Sequence, residues 1–193
     1  MSTKEIKWTM FVIAAIGNFI AMLDSTTVNL ALYPMSVDLN VSMGEIQWVM
    51  VAYMLVLTVF LPFFGKLGDI FPKNKLYSLG FLIFAIGAFL NTTAPSFVLL
   101  VSYRCLEALG ASIMLSNAQA IIASIFKNER RGKALGLNGC IVAIGGMSGP
   151  ALGGILINSF GWHSVFVPCI PVALAGAYYA WNCLLYTSDA ADD

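Results

Sequence analysis

Six stretches of this chain, at roughly 8–33, 44–64, 76–94, 97–126, 134–157 and 162–182, are apolar over about the 20 residues a helix needs to cross a bilayer. A backbone in lipid must satisfy its own polar groups, so only helices or closed barrels can span it. These runs lack the two-residue alternation of a barrel strand, which leaves an all-α transmembrane fold of six helices. Only 10% of the 193 residues are charged, 59% are hydrophobic, and mean hydropathy is +0.83. A soluble domain carries about 25% charged residues because its surface meets water. Lys4 and Lys7 precede the apolar stretch Trp8–Leu23 as they would in a signal peptide. That stretch is longer than a typical signal core and no clear cleavage site follows, so it reads as the first span.

The formal net charge is zero, and no basic or acidic balance points to nucleic acid. Cys105, Cys140, Cys169 and Cys183 are far apart and the chain has a single histidine, so neither a metal centre nor a cofactor is expected. No nucleophile–base set or phosphate loop suggests an enzyme.

Nine of the ten basic residues fall in three connections: Lys4 and Lys7; Lys66, Lys73 and Lys75; and Lys127, Arg130, Arg131 and Lys133. The alternate connections, around Asp38 and Glu45, Asn91 to Ser96 and Asn158 to His163, contain no Lys or Arg. The positive-inside rule puts the basic side, with the amino terminus, in the cytoplasm of a multi-pass protein of the cell membrane. Trp8, Trp48, Trp162 and Trp181 lie near the expected helix ends, where an amphipathic indole prefers to sit.

Gly65–Pro72 and Gly154–Gly161 both read G-x-L-x-[D/N]-x-F-[P/G], about 89 residues apart and on opposite sides of the membrane. Chance similarity in a Gly/Leu-rich sequence is one explanation. The other is two three-helix units of opposite orientation, 8–94 and 97–182, an inverted repeat found in many transporters. The last eleven residues, 183–193, contain three Asp and no Lys or Arg where a basic cytoplasmic loop is due. They are expected to be a non-native tail, with sequence missing beyond about residue 182.

Charges inside a span are costly and need a reason. Asp24 lies 16 residues beyond Trp8, about 24 Å of helix rise, which suggests the outer part of the first span. Lipid disfavours the ionised carboxylate, so Asp24 could exchange a proton during a cycle; alternatively it is a packing acid satisfied by Ser25, Thr26, Thr27 and Asn29. No basic residue lies one turn from it. Arg104 and Glu107, spaced i, i+3, can face each other. They form either a mutual ion pair or a device by which Arg104 biases the protonation of a nearby acid. Gly145, Gly149 and Gly153 stack on one face of the fifth span, where another backbone can approach closely. Pro150 removes a donor beside them, which with Gly146 and Gly154 suggests a hinge or a tight seal.

These residues carry a family resemblance. Gly65, Leu67, Asp69, Lys73 and Leu76 resemble the cytoplasmic loop signature of the major facilitator superfamily, with Ile70 where Arg is common and Pro72 for Gly. Arg104 to Gly110 resembles its fourth-helix R-x-x-Q-G-x-G, with Glu107 for Gln and Ala108 for Gly. Gly145, Gly149, Pro150, Gly153 and Gly154 match the fifth-helix antiporter motif. Leu23 to Leu32 resembles the first-helix L-D-x-T-i-V-N-v-A-L of the fourteen-helix drug:proton antiporters, the EmrB/QacA type. The resemblance covers residues 8–182. It implies the amino-terminal half of a major facilitator fold, with the carboxy-terminal half of the same transporter as missing partner. It also implies a small-molecule substrate, protons as the coupled ion through Asp24, Arg104 and Glu107, and export of drugs or other amphipathic compounds. A metabolite or sugar symporter is the near alternative, a membrane scaffold the distant one. In this reading Asp69 meets Lys73, Lys75 or an absent helix, and Tyr53 and Phe84 are available as aromatic walls. The fragment alone is not expected to transport.

Overall fold

The computed structural model describes residues 3–126 and 129–189. Its helices are α1 (Thr3–Asp38), the single turn α2 (Met43–Ile46), α3 (Trp48–Ile70), α4 (Lys73–Thr92), α5 (Phe97–Ile125), α6 (Glu129–Phe160) and α7 (Cys169–Asp189), with a 3₁₀ turn at Trp162–Phe166 before α7. No strand occurs among the described residues. The six long helices bear out the all-α reading. Five contain stretches long and apolar enough to cross a membrane; the apolar part of α4 is shorter, Lys75–Asn91. The third span, expected at 76–94, is shorter in its apolar part because Asn91 and Thr92 are polar, and α4 starts three residues earlier, at Lys73.

Helix boundaries follow local chemistry more than hydropathy. α1 runs five residues past the expected end, through Pro34, and stops at Asp38. Asn40 then takes a left-handed φ of 52°, which Asn tolerates, and Val41 N–H donates to the Ser36 carbonyl at 3.0 Å. Ser42 starts the next turn with a capping box: its hydroxyl accepts from Glu45 N–H, while Glu45 Oε2 accepts from Ser42 N–H at 2.8 Å. Gly161 has φ of 80°, a conformation open to glycine, and turns the chain from α6 into the 3₁₀ segment. Since α1 is longer than expected, Asp24 lies near the middle of the apolar stretch Trp8–Asp38.

α5 packs between α3 and α4, α1 lies along α6 and also meets α5 and α7, and α4 lies on α7. α1, α4 and α5 are the more buried helices, whereas α3 and α6 expose most of their apolar surface. Glycines set the closest approaches. A side chain at Gly110 of α5 would run into the α4 backbone at Phe84, and one at Gly87 of α4 would meet Glu107 Cα at 2.6 Å. Two apolar clusters result. One gathers Phe11, Ile20, Tyr53, Tyr77, Phe81 and Phe84; the other gathers Val28, Met35, Val49, Leu100, Trp162 and Phe166. Trp162 is therefore no interfacial belt residue. It is buried, and its Nε1–H donates to Asp38 Oδ2 at 2.8 Å, tying the 3₁₀ turn to the end of α1. Trp8, Trp48 and Trp181 are each about half exposed.

α7 continues through Asp189, so residues 183–189 of the expected tail are helical, and 190–193 lie outside the described residues. Lys127 of the expected basic connection also lies outside them; Arg131 and Lys133 belong to α6.

Candidate functional site

Asp24, Arg104 and Glu107 come together at the centre of the bundle, each with no exposed side-chain surface. Arg104 Nη1 donates to Asp24 Oδ2 at 2.7 Å and to Glu107 Oε2 at 2.7 Å. The Arg104–Glu107 contact is the i, i+3 pair expected from spacing. Asp24, with no basic residue one turn away on its own helix, finds its partner 80 residues away in sequence, on α5, where α1 crosses it. Nor do the neighbouring hydroxyls satisfy Asp24. Thr26 and Thr27 donate instead to carbonyls of their own helix, at Leu23 in both cases. On a helix the preceding carbonyls are the nearest acceptors for a Thr hydroxyl.

Two residues join the cluster that sequence reasoning did not place there. Asn91 of α4 donates from Nδ2 to Glu107 Oε2 at 2.7 Å. Tyr53 of α3, considered only as a wall residue, lies under the guanidinium, with its ring centroid 4.2 Å from Arg104 Cζ. The Phe166 ring centroid is 5.7 Å from the same carbon. The rings belong to the two separate apolar clusters, so the charges sit between them. Asn91 was visible in sequence only as a polar residue at the edge of a span, the kind of signal that intramembrane polarity carries.

One cation faces two carboxylates. Buried charges need paired partners and satisfied hydrogen bonds, and this cluster is one positive charge short of balancing two ionised acids. Several of its atoms have no hydrogen-bond partner: Asp24 Oδ1, Glu107 Oε1, Arg104 Nε and Nη2, the Tyr53 hydroxyl and Asn91 Oδ1. Protonation of one acid would balance the charge, and two carboxylates sharing one site favour such an arrangement.

The other expected motifs lie elsewhere. Gly145, Gly149 and Gly153 of α6 face α1 at Phe19, Thr26, Thr27 and Leu30; a Cβ on Gly149 would meet the Thr26 side chain and come within 3.2 Å of Thr27 N. Gly154 borders the seam, 4.0 Å from Leu30, and Pro150 points away from it on the exposed side. Gly65, Leu67 and Asp69 form the last turn of α3, and Lys73 opens α4. Asp69 is exposed and, among the described residues, forms no ion pair with Lys73 or Lys75. Gly68 is the tighter contact there, against the Asn117 side chain of α5. Asn18 of α1 donates to Asn138 of α6 at 3.0 Å, a buried polar tie between the same two helices.

Residues 14–192 match the family model described as Major Facilitator Superfamily. The chain belongs to that superfamily. It is 42% identical over 172 residues to the riboflavin transporter RibZ of Clostridioides difficile, covering 89% of this chain and 38% of that protein. It is 30% identical over 173 residues to multidrug resistance protein 3 of Bacillus subtilis, covering 89% and 34% respectively. Its fold superposes on the proton:xylose symporter XylE with TM-score 0.81 at 13% identity, over 93% of this chain and 45% of that one. The chain thus spans roughly two fifths of the superfamily proteins it matches. Its all-α architecture is that of the amino-terminal half of a major facilitator fold, a multi-pass membrane protein.

Proposed function

We propose that this superfamily member forms part of a proton-coupled exporter of drugs or other amphipathic compounds, with Asp24, Arg104 and Glu107 as the coupling site. The observation that carries the reading is the buried cluster in which one guanidinium serves two carboxylates. The cluster is balanced when it holds one proton, and loses that balance when an opening to water or a cationic substrate displaces it. The seam of Gly145, Gly149 and Gly153 against α1 supports exchange, because it joins the helix carrying Asp24 to the antiporter-motif helix. The relative named multidrug resistance protein 3 supports drugs as substrates. The 42% identity to a protein named riboflavin transporter favours a second reading, transport of a planar metabolite through the same site.

The test is efflux against an imposed proton gradient in vesicles holding the full-length protein. Asp24→Asn and Glu107→Gln keep size and most hydrogen bonding but remove titration. The expected outcome is loss of uphill export in both, with membrane insertion intact. Parental export in both variants would place the proton path elsewhere.

We further propose residues 8–94 and 97–182 as the two inverted units. The first helix of each packs against the second helix of the other, α1 on α6 and α5 on α3, which is the exchange such symmetry produces. The proposed orientation has the amino terminus in the cytoplasm of a cell-membrane protein. A cysteine placed at Asn40 should then label from outside and one at Lys73 should not; the reverse pattern inverts the topology.

A further inference from the structure

Glu107 is held from α4 in two ways. Gly87 lets the α4 backbone press against it, since a Cβ at Gly87 would lie 2.7 Å from Glu107 Cβ and from Glu107 N. Four residues on, and therefore on the same face of α4, the fully buried Asn91 donates Nδ2 to Glu107 Oε2 at 2.7 Å. That oxygen also accepts Arg104 Nη1, whereas Glu107 Oε1 and Asn91 Oδ1 are both unpartnered. The other titratable or charged groups facing Glu107 are Asp24 from α1, Tyr53 from α3, Arg104 from its own helix and the buried Cys169 from α7. A buried amide is unfavourable unless it is hydrogen-bonded, and simple packing at this position would be served by an apolar side chain of similar volume.

Resting on the coupling role given above to the charged cluster, we propose that Asn91 is a positioning residue that keeps α4 tied to Glu107 in both protonation states. An ionised carboxylate only accepts hydrogen bonds, whereas a carboxylic acid also donates one. Arg104 can only donate. The Asn91 amide does both: Nδ2–H serves the carboxylate, as seen, and a half-turn of the amide presents the free Oδ1 to the acid's O–H. Glu107 therefore gains or loses its proton without releasing α4. The change of charge reaches α4 as a reorientation of one side chain, and Gly87 keeps the two backbones close enough for the amide to follow.

The test uses the full-length transporter in proteoliposomes, with ethidium and riboflavin as probes. Uphill accumulation under a pH gradient is compared with downhill exchange without one. Asn91→Leu is expected to lower uphill accumulation at least tenfold while downhill exchange stays within about twofold of the parent. If Asn91→Leu fails to insert, Asn91→Ser and Asn91→Ala take its place. They are similar in size, but serine both donates and accepts, and should retain at least fivefold more uphill accumulation. Equal accumulation in Ser and Ala variants, parental accumulation in Asn91→Leu, or parallel loss of uphill and downhill flux would each overturn the proposal. Uphill accumulation that survives Glu107→Gln defeats the underlying coupling role instead. Loss in Glu107→Gln without loss in Asn91→Leu defeats only the role of Asn91.

Discussion

Arg104 holds the central cluster in place, because it is the cation shared by Asp24 and Glu107 and its guanidinium is stacked on Tyr53. Removing one member of a buried ionic group leaves the rest uncompensated, at about 3–5 kcal/mol. Arg104→Gln should therefore lower the thermal unfolding midpoint of the detergent-solubilised protein markedly. Adding Asp24→Asn and Glu107→Gln to it should recover much of the loss, since the stranded charges are then gone. A variant as stable as the parent would mean that one carboxylate already does without the guanidinium. This cluster was only half legible in the sequence. The i, i+3 spacing of Arg104 and Glu107 announces a pair, because a helix fixes that geometry locally. The contact to Asp24 depends on how α1 crosses α5, and Asn91 and Tyr53 reach it from α4 and α3; no local pattern encodes a meeting of four helices.

At the scale of elements, the small-residue face of α6 does what its spacing suggests and something the spacing does not disclose. Gly145, Gly149 and Gly153 are buried against α1, and the last two meet the turn at Thr26 and Thr27 that follows Asp24. Gly149→Leu should force α1 and α6 apart there and abolish export while the protein still inserts. Surface expression read beside efflux separates the two effects, and wild-type efflux would reduce the glycines to incidental packing. Helix number and order were readable from hydropathy, because lipid imposes a minimum apolar length. The ends were less so. α1 continues to Asp38 since Pro34 does not stop it, and the stop comes from Asn40 and the Ser42–Glu45 box. Trp162 looked like an interfacial indole from its position alone, yet its N–H has an acceptor at Asp38, which only the folded arrangement supplies.

At the scale of the whole molecule, α1, α4 and α5 form the interior, while α3 and α6 present largely exposed apolar surface, including Val59, Phe63, Ile144 and Met147. Since the chain spans about two fifths of the proteins it matches, transport itself is a property proposed for the longer protein. In the proposed coupling, substrate movement and proton movement are one process passing through the Asp24–Arg104–Glu107 cluster. The most direct measurement starts with no pH gradient. Full-length protein is sealed in proteoliposomes with a pH-sensitive dye inside, and a gradient of ethidium or riboflavin alone is imposed. Substrate leaving down its gradient is expected to drive protons the other way and shift the internal pH, and Asp24→Asn and Glu107→Gln are expected to abolish this shift. Substrate flux through the parent protein with no accompanying change in internal pH would contradict the proposed coupling.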